Sequence, residues 1–439
     1  MLRALGVTLL PLVGLLALGC RDAPPAGIPA STEVAPDSTD TLRILLAGDA
    51  MQHKEQFASA RQPDGSYRYD DCFRYVQPYI AAAHLAIVNL ETTLPGPPYA
   101  GYPNFRSPDA YLAALQAAGF DLVTLANNHS VDAGNAGVLR TIRVADSLGL
   151  PHLGTYRSPD DRARRTPLLI ERRGITLALL NYTYGTNYQF TTPPVSVNYI
   201  DTLQLKADLA AARRSGADAT VVLFHWGLEY KLEPLPDEEA LADLCFREGA
   251  TLVLGGHPHV VRRADRLTYD GRSVAVAYST GNFISAQRHP NTDGGMLLGL
   301  TLVKDRRSGT VTVADAGYHL VWVNRRPRPG RDPVYELLPV ADVESGRLQP
   351  QWEANGRAKL DRFAAAARAV LAQSTGVPEL PAGRWLGRPV YTLPAPVTGA
   401  DVLPSRFPTG DAIGRLANPL VRPVPAVPPT AQPSRRKRP

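Results

Sequence analysis

Cysteine and methionine are scarce in this chain of 439 residues, three of each. Three cysteines exclude a disulfide-stapled scaffold and a Cys-rich structural zinc site. Cys72 and Cys245 stand outside any metal-ligand spacing. An oxidising compartment would permit a bond between them, and two ordinary buried thiols fit the spacing equally well. A dominant charge is also lacking. The 47 basic residues against 41 acidic ones leave a formal +6, a balance that gives no indication of nucleic-acid binding. Part of the excess is the run Ser434-Arg435-Arg436-Lys437-Arg438 in a Pro-rich tail. Such a run is solvated, or weakly attracted to anionic lipid or an acidic polymer. No internal repeat stands out. What remains is a chain with 44% hydrophobic residues, enough for one large core or two smaller ones.

The N-terminus carries an address rather than a fold. Arg3 precedes the apolar stretch Leu5–Leu18, which Gly, Thr and Pro11 interrupt. It falls short of the roughly 20 apolar residues that span a membrane and has the form of a secretory signal. Gly19-Cys20 at its end resembles a bacterial lipobox, which implies cleavage before Cys20 and acylation of its thiol as a lipid anchor. An ordinary signal peptide with an incidental cysteine is the plainer alternative. The expected location is therefore outside the cytoplasm, lipid-anchored to the membrane. Arg21, rather than Asp, after the cysteine favours the outer membrane if the source is Gram-negative. The Pro/Ala/Ser/Thr-rich stretch that follows suits a tether.

Short apolar runs then alternate with helical patterns. Strands are expected at Leu42–Ala47, Leu85–Asn89, Leu122–Leu125, Thr176–Leu180, Thr220–Phe224, Thr251–Leu254 and Ser273–Tyr278. Helices are expected at Pro108–Ala118, Ala136–Leu148, Leu203–Ser215 and Asp237–Glu248. This alternation predicts an α/β fold with crossover connections. Met296–Val303 and Thr310–Val323 lack intervening helices and predict a second, more antiparallel sheet. After Pro327 the periodicity breaks, with one further helix expected at Glu353–Ala372. The expected organisation is a signal peptide (1–20), a disordered tether (21–40), a main domain (41–326), a helical extension (327–377) and a largely disordered basic tail (378–439).

Polar residues follow these strands in a telling way. Gly48-Asp49, Glu91, Asn127-Asn128-His129, His225-Trp226-Gly227 and Gly255-Gly256-His257-Pro258-His259 each come directly after an expected strand. In an α/β sheet the carboxyl ends of the strands share one edge, where ligands bind. Carboxylate, amide and imidazole groups without thiolate suit a divalent transition metal such as Mn, Zn or Fe. A carboxylate among them could bridge two ions.

Six segments taken in order resemble the CapA family of poly-gamma-glutamate capsule biosynthesis proteins. They are Gly48-Asp49-Ala50-Met51, Asn89-Leu90-Glu91-Thr92, Leu125-Ala126-Asn127-Asn128-His129, His225-Trp226-Gly227-Leu228-Glu229-Tyr230, Gly256-His257-Pro258-His259-Val260 and Tyr278-Ser279-Thr280-Gly281-Asn282-Phe283. The resemblance covers roughly Leu42 to Val303. It implies the fold of calcineurin-like metallophosphoesterases, a four-layer α/β-β/α sandwich, with two metals per chain. It also implies roles residue by residue. Asp49 and His259 would hold the first metal, Glu91 would bridge, and Asn128, His225 and His257 would hold the second. His129 would protonate a leaving group, oriented by Asp132. One departure stands out: Asp49-Ala50-Met51 appears where phosphoesterases carry Asp-x-His, so the first metal lacks a ligand unless His53 supplies it. Arg106 and Glu229 are candidate substrate-binding residues, with an exposed salt bridge and simple packing as their alternatives. His84, His152, His289 and His319 are assigned to structure.

Two functions follow as expectations. One is a metal-dependent hydrolase or transferase acting at the cell envelope on a gamma-glutamyl amide or related bond, a phosphoester being the superfamily's alternative. The other is a non-catalytic accessory protein that handles an anionic polymer such as poly-gamma-glutamate beside membrane synthetase subunits.

Overall fold

The first strand, Thr39–Ala50, carries an unbroken apolar run from Ile44 to Ala47, preceded by Leu42. Such a run is buried on both faces and needs cover from two sides. In the computed structural model, which describes residues 38–187 and 189–390, both covers are present. The side chains of Leu42, Ile44 and Leu46 enter a core shared with Leu177, Leu179, Val221, Leu223, Leu252 and Leu254 of a second sheet. Leu45 and Ala47, one residue out of phase, point the other way, against Leu112 and Leu115 of the helix Asp109–Ala117 and Ile142 of the helix Gly134–Ser147.

The second sheet repeats the pattern. Leu180, Val222, Val253 and Val276 face outward onto Leu205 and Leu209 of the helix Thr202–Arg214 and Phe246 of the helix Pro236–Arg247. Asp201 caps the first of these helices by accepting the Gln204 N–H at 2.8 Å, satisfying one otherwise orphaned donor. The result is a four-layer α/β-β/α sandwich. Each fully buried aliphatic side chain contributes about 1.5–3 kcal/mol to it.

Eight strands form the first sheet and six the second. Leu85–Leu90, Leu122–Thr124 and His152–Leu153 run parallel to the first strand. In the second sheet Ile175–Thr183, Ala219–His225, Leu252–Gly256 and Arg272–Ala277 are mutually parallel. The two long strands expected to form a separate antiparallel sheet do not. Gly294–Asp305 pairs antiparallel with the free edge of the first strand, from Thr39 opposite Asp305 to Leu46 opposite Leu298, and Val311–Arg328 follows it. They extend the first sheet because that edge would otherwise be unpaired. The Arg/Pro/Gly stretch beyond Pro327 is a hairpin turn. It leads into a further strand, Arg331–Pro339, on the same sheet. The late helix forms at Gly356–Leu371.

Cys72 and Cys245 are free, buried thiols. They sit in separate apolar clusters on the outer faces of the two sheets, which settles the sequence alternative. Among the described residues no helix is long and apolar enough to cross a membrane. The signal segment, Cys20, the tether as far as residue 37 and the tail from residue 391 lie outside the described residues.

Candidate metal centre

The two sheets deliver their carboxyl ends to one place. Asp49, at the end of the first strand, lies in register with Asn89 on one side and Asn282 on the other. Glu91 follows the second strand and Asn128 the third. From the other sheet His225 closes its strand in register with Gly256, and His257 and His259 lie on the turn just beyond. Asp49, Glu91, Asn128, His225, His257 and His259 are all at most 3% exposed. That burial rules out a solvated acidic patch, because charged groups this deep need partners or a metal.

Close approach is built into the backbone. A Cβ on Gly256 would lie 2.8 Å from Asp49 Oδ1, and one on Gly48 would collide with the Gly281 carbonyl. His257 and His259 adopt φ of 99° and 59°, and Tyr230 beside them 63°. Non-glycine residues avoid this region, and such strain concentrates at functional sites.

The side chains interlock. Asn128 Oδ1 is 2.9 Å from His225 Nε2, and His259 Nδ1 lies 3.1 Å from both Asp49 Oδ2 and Asn282 Oδ1. Glu91 Oε1 sits 3.7 Å from His225 Nε2 and 3.7 Å from His259 Nε2. Two ligand groups result, Glu91 with His257 and His259, and Asp49 with Glu91 and His225; within each the donor atoms lie within 4.8 Å of one another. Glu91 belongs to both. Its Oε1 and His257 Nδ1 are buried without a hydrogen-bond partner, and buried polar atoms left so are costly. Orphaned lone pairs converging from carboxylate and imidazole fit a divalent cation.

The electrostatics agree. Burial opposes ionisation of Asp49, yet the hydrogen bond from His259 and the His225 and His259 rings bring its carboxyl down to about 2. Burial, joined by the Asp49 charge, pushes Glu91 well above the usual carboxylate range. Burial also lowers His225 to about 3 and His257 well below an ordinary imidazole. Neutral rings are the ligating form.

His129 and Asp132 stand beside the cluster and outside both ligand groups. His129 Nδ1 meets Asp132 Oδ2 at 2.7 Å, and the same oxygen accepts the Phe105 N–H at 2.6 Å. This pairing leaves Nε2 for other partners, the nearest being Asn187 Nδ2 at 3.5 Å. Burial raises the Asp132 carboxyl despite the His129 bond. Arg106 is held by backbone bonds to Ala100, and its charge acts on Asp132. Glu229 is exposed on the turn after His225, close enough for its charge to raise Glu91. His53 belongs to neither ligand group. Its Nδ1 sits 3.2 Å from Gln56 Oε1 and accepts the Ala286 N–H at 3.3 Å, and burial lowers its pKa to about 4.

Three site residues escaped the sequence assignment. Asn89 donates to Asp49 Oδ1 at 2.8 Å and lies 3.3 Å from His225 Nδ1. Asn282 contacts His259. Both lie inside segments already singled out, where a polar side chain on a buried strand was the available signal. Tyr184, whose ring packs 4.5 Å from that of His257, had no motif to mark it.

Fold and site together define a four-layer α/β protein with a buried His/carboxylate cluster, compatible with a divalent metal, at the meeting strand ends. A family model described as bacterial capsule synthesis protein PGA_cap matches residues 43–287, more than half of the chain. The chain belongs to that family. The capsule biosynthesis protein CapA of Bacillus anthracis is 27% identical over 274 residues, 59% of this chain and 63% of that protein. The chain thus matches less than two thirds of that relative's length. The PGA biosynthesis protein CapA of Bacillus subtilis (strain 168) is 25% identical over 290 residues, 64% of this chain and 73% of the relative. Among solved structures, a phosphatase of Mycoplasma pneumoniae aligns with TM-score 0.37 and 15% identity, covering 64% of this chain and 94% of that one. A 5'-nucleotidase from Candida albicans aligns with TM-score 0.39 and 9% identity, covering 75% and 58%.

Proposed function

We propose that this chain is a CapA-like cell-envelope protein of capsule or poly-gamma-glutamate biosynthesis that acts as a metal-dependent hydrolase or transferase. Its bond would be a gamma-glutamyl amide or a related linkage. The observation that carries this reading is Glu91, shared between two buried ligand groups with one oxygen unpartnered. The residues that would hold the ions, Mn, Zn or Fe, are Asp49, Glu91, Asn128, His225, His257 and His259; the fold groups His259 with His257 and Asp49 with His225, which differs from the division that the family resemblance implies. A pair of such ions supplies a nucleophile at neutral pH and stabilises developing negative charge. Around it the chain's own groups divide the remaining work. Asp132 holds the His129 ring by Nδ1, so Nε2 can hand a proton to a leaving group. Arg106 offers a planar fork for a substrate carboxylate, and Glu229 stands at the mouth. Export, anchoring through Cys20 and a partnership with a membrane synthetase complete the proposal.

A second reading is a non-catalytic, polymer-handling accessory subunit. Met51 favours it: it stands where phosphoesterases carry a ligating histidine, is 1% exposed, and His53 lies in neither ligand group. A metallophosphoesterase with another substrate is the remaining variant.

Metal content by elemental analysis tests the proposal, with a His225→Ala/His257→Ala variant as the comparison. Two transition metals per chain, lost in the variant, with turnover of gamma-glutamyl amides or esters, is the expected result. One metal would point to an incomplete first site and to the accessory reading. No metal would overturn the proposal.

A further inference from the structure

Beyond the ligands and the His129–Asp132 pair, one side chain is built into the cluster from outside the family segments. Tyr184 follows the strand Ile175–Thr183, and its N–H donates to the His225 carbonyl at 2.9 Å. Its ring lies 4.5 Å from the His257 ring and nearly parallel to that of His225, 12° off at 6.4 Å. Three residues on, the Asn187 N–H donates to the Asn128 carbonyl at 2.7 Å. Asn187 Nδ2 then reaches within 3.5 Å of His129 Nε2. This short segment therefore touches each of Asn128, His129, His225 and His257.

Asn128 Oδ1 faces His225 Nε2 at 2.9 Å, and the Asn128 amide acts on the Tyr184 hydroxyl, opposing the rise that burial imposes on it. Tyr184 is nevertheless 48% exposed, so the ring bridges from the buried cluster to the open mouth.

We propose that Tyr184 is a catalytic residue. Its hydroxyl donates a hydrogen bond to an oxyanion seated over the metal centre. The ligand class is a phosphate-like or carboxylate oxyanion. The inference rests on the proposed metal centre.

The test is calorimetric titration of inorganic phosphate into the manganese-loaded full chain, its Tyr184→Phe variant and a Phe190→Ala variant. Phe190, 75% exposed, stands six residues further along the chain and in neither ligand group. Removing one hydrogen bond to a charged ligand should weaken phosphate binding about tenfold in Tyr184→Phe. Metal content should not change, and Phe190→Ala should bind as wild type. Equal affinity in wild type and Tyr184→Phe overturns the inference and leaves the metal centre standing. So does absence of phosphate binding by the metal-loaded wild type, or equal loss in Phe190→Ala. If the wild type takes up no metal, the metal centre itself fails and the inference falls with it.

Discussion

Glu91 is the residue on which the chemistry of the centre turns. Without a metal, burial and the nearby Asp49 charge hold its carboxyl well above the usual range, so it carries a proton at pH values where an exposed glutamate has lost it. A cation inverts that preference, because the ionised carboxylate is the ligand. Metal binding must then displace the proton, and apparent affinity must rise with pH until Glu91 is ionised in the free protein. The expected observation is proton release on metal binding, read by calorimetry in two buffers of different ionisation enthalpy. Glu91→Gln, which has no proton to lose, should release fewer protons and bind metal more weakly. Equal release by both proteins would remove Glu91 from the ligand set. The same scale shows why composition alone could not identify the site. Asp49, Glu91 and His257 became candidates by following expected strands, whereas Tyr184 belongs to a loop whose course depends on tertiary contacts with His225 and Asn128.

At the scale of elements, the turns after the strands do the positioning. Leu228–Lys231 is pinned by Arg262, whose guanidinium donates to the Leu228 and Lys231 carbonyls at 3.1 and 2.7 Å. Arg262 is fully buried and paired with Glu238 at 2.8 Å. Removing one partner of a buried pair strands the other charge and costs about 3–5 kcal/mol. Glu238→Ala should therefore lower stability by about that amount, measured by urea denaturation, and loosen the turn that carries Glu229 and Tyr230. A loss below about 1 kcal/mol would show that the pair is solvated. Gly256 offers a sharper probe. The added methyl of Gly256→Ala must displace the Asp49 carboxylate, at 2.8 Å, so metal affinity should fall while overpacking costs only about 1–3 kcal/mol. Unchanged metal uptake would mean that Asp49 moves without consequence. Element type was legible because short continuous apolar runs, such as Ala219–His225, and period-3.6 helices, such as Thr202–Arg214, leave strong patterns. Sheet membership was not. Nothing in the Gly294–Asp305 pattern says which edge it joins, and Arg331–Pro339 hides its alternation among Arg, Asp and Pro. Pairing of that kind is decided by which edge stands unpaired in three dimensions.

At the scale of the whole molecule, buried histidines remote from the metal centre tie stability to pH. His152 is 1% exposed and His319 fully buried. Burial holds both below the ordinary imidazole value, and the neighbouring Arg165 adds to the effect at His152. The unfolded chain, with normal imidazoles, therefore takes up protons first as the pH falls. Stability from these neutral rings is complete above about pH 6.5 and is lost below it, by up to about 1.4 kcal/mol per pH unit for each ring. Arg165 Nη2, 3.0 Å from both ring nitrogens of His152, opposes its protonation within the fold. Denaturation midpoints of the metal-free protein between pH 8 and pH 5 should fall with acidity. A His152→Gln variant, destabilised at pH 8 by the altered packing, should show a shallower fall across the same range, so that the two curves converge toward pH 5. Parallel curves would mean that His152 is protonated within the fold, with the Asp146 carboxylate 3.0 Å away serving as its counter-charge.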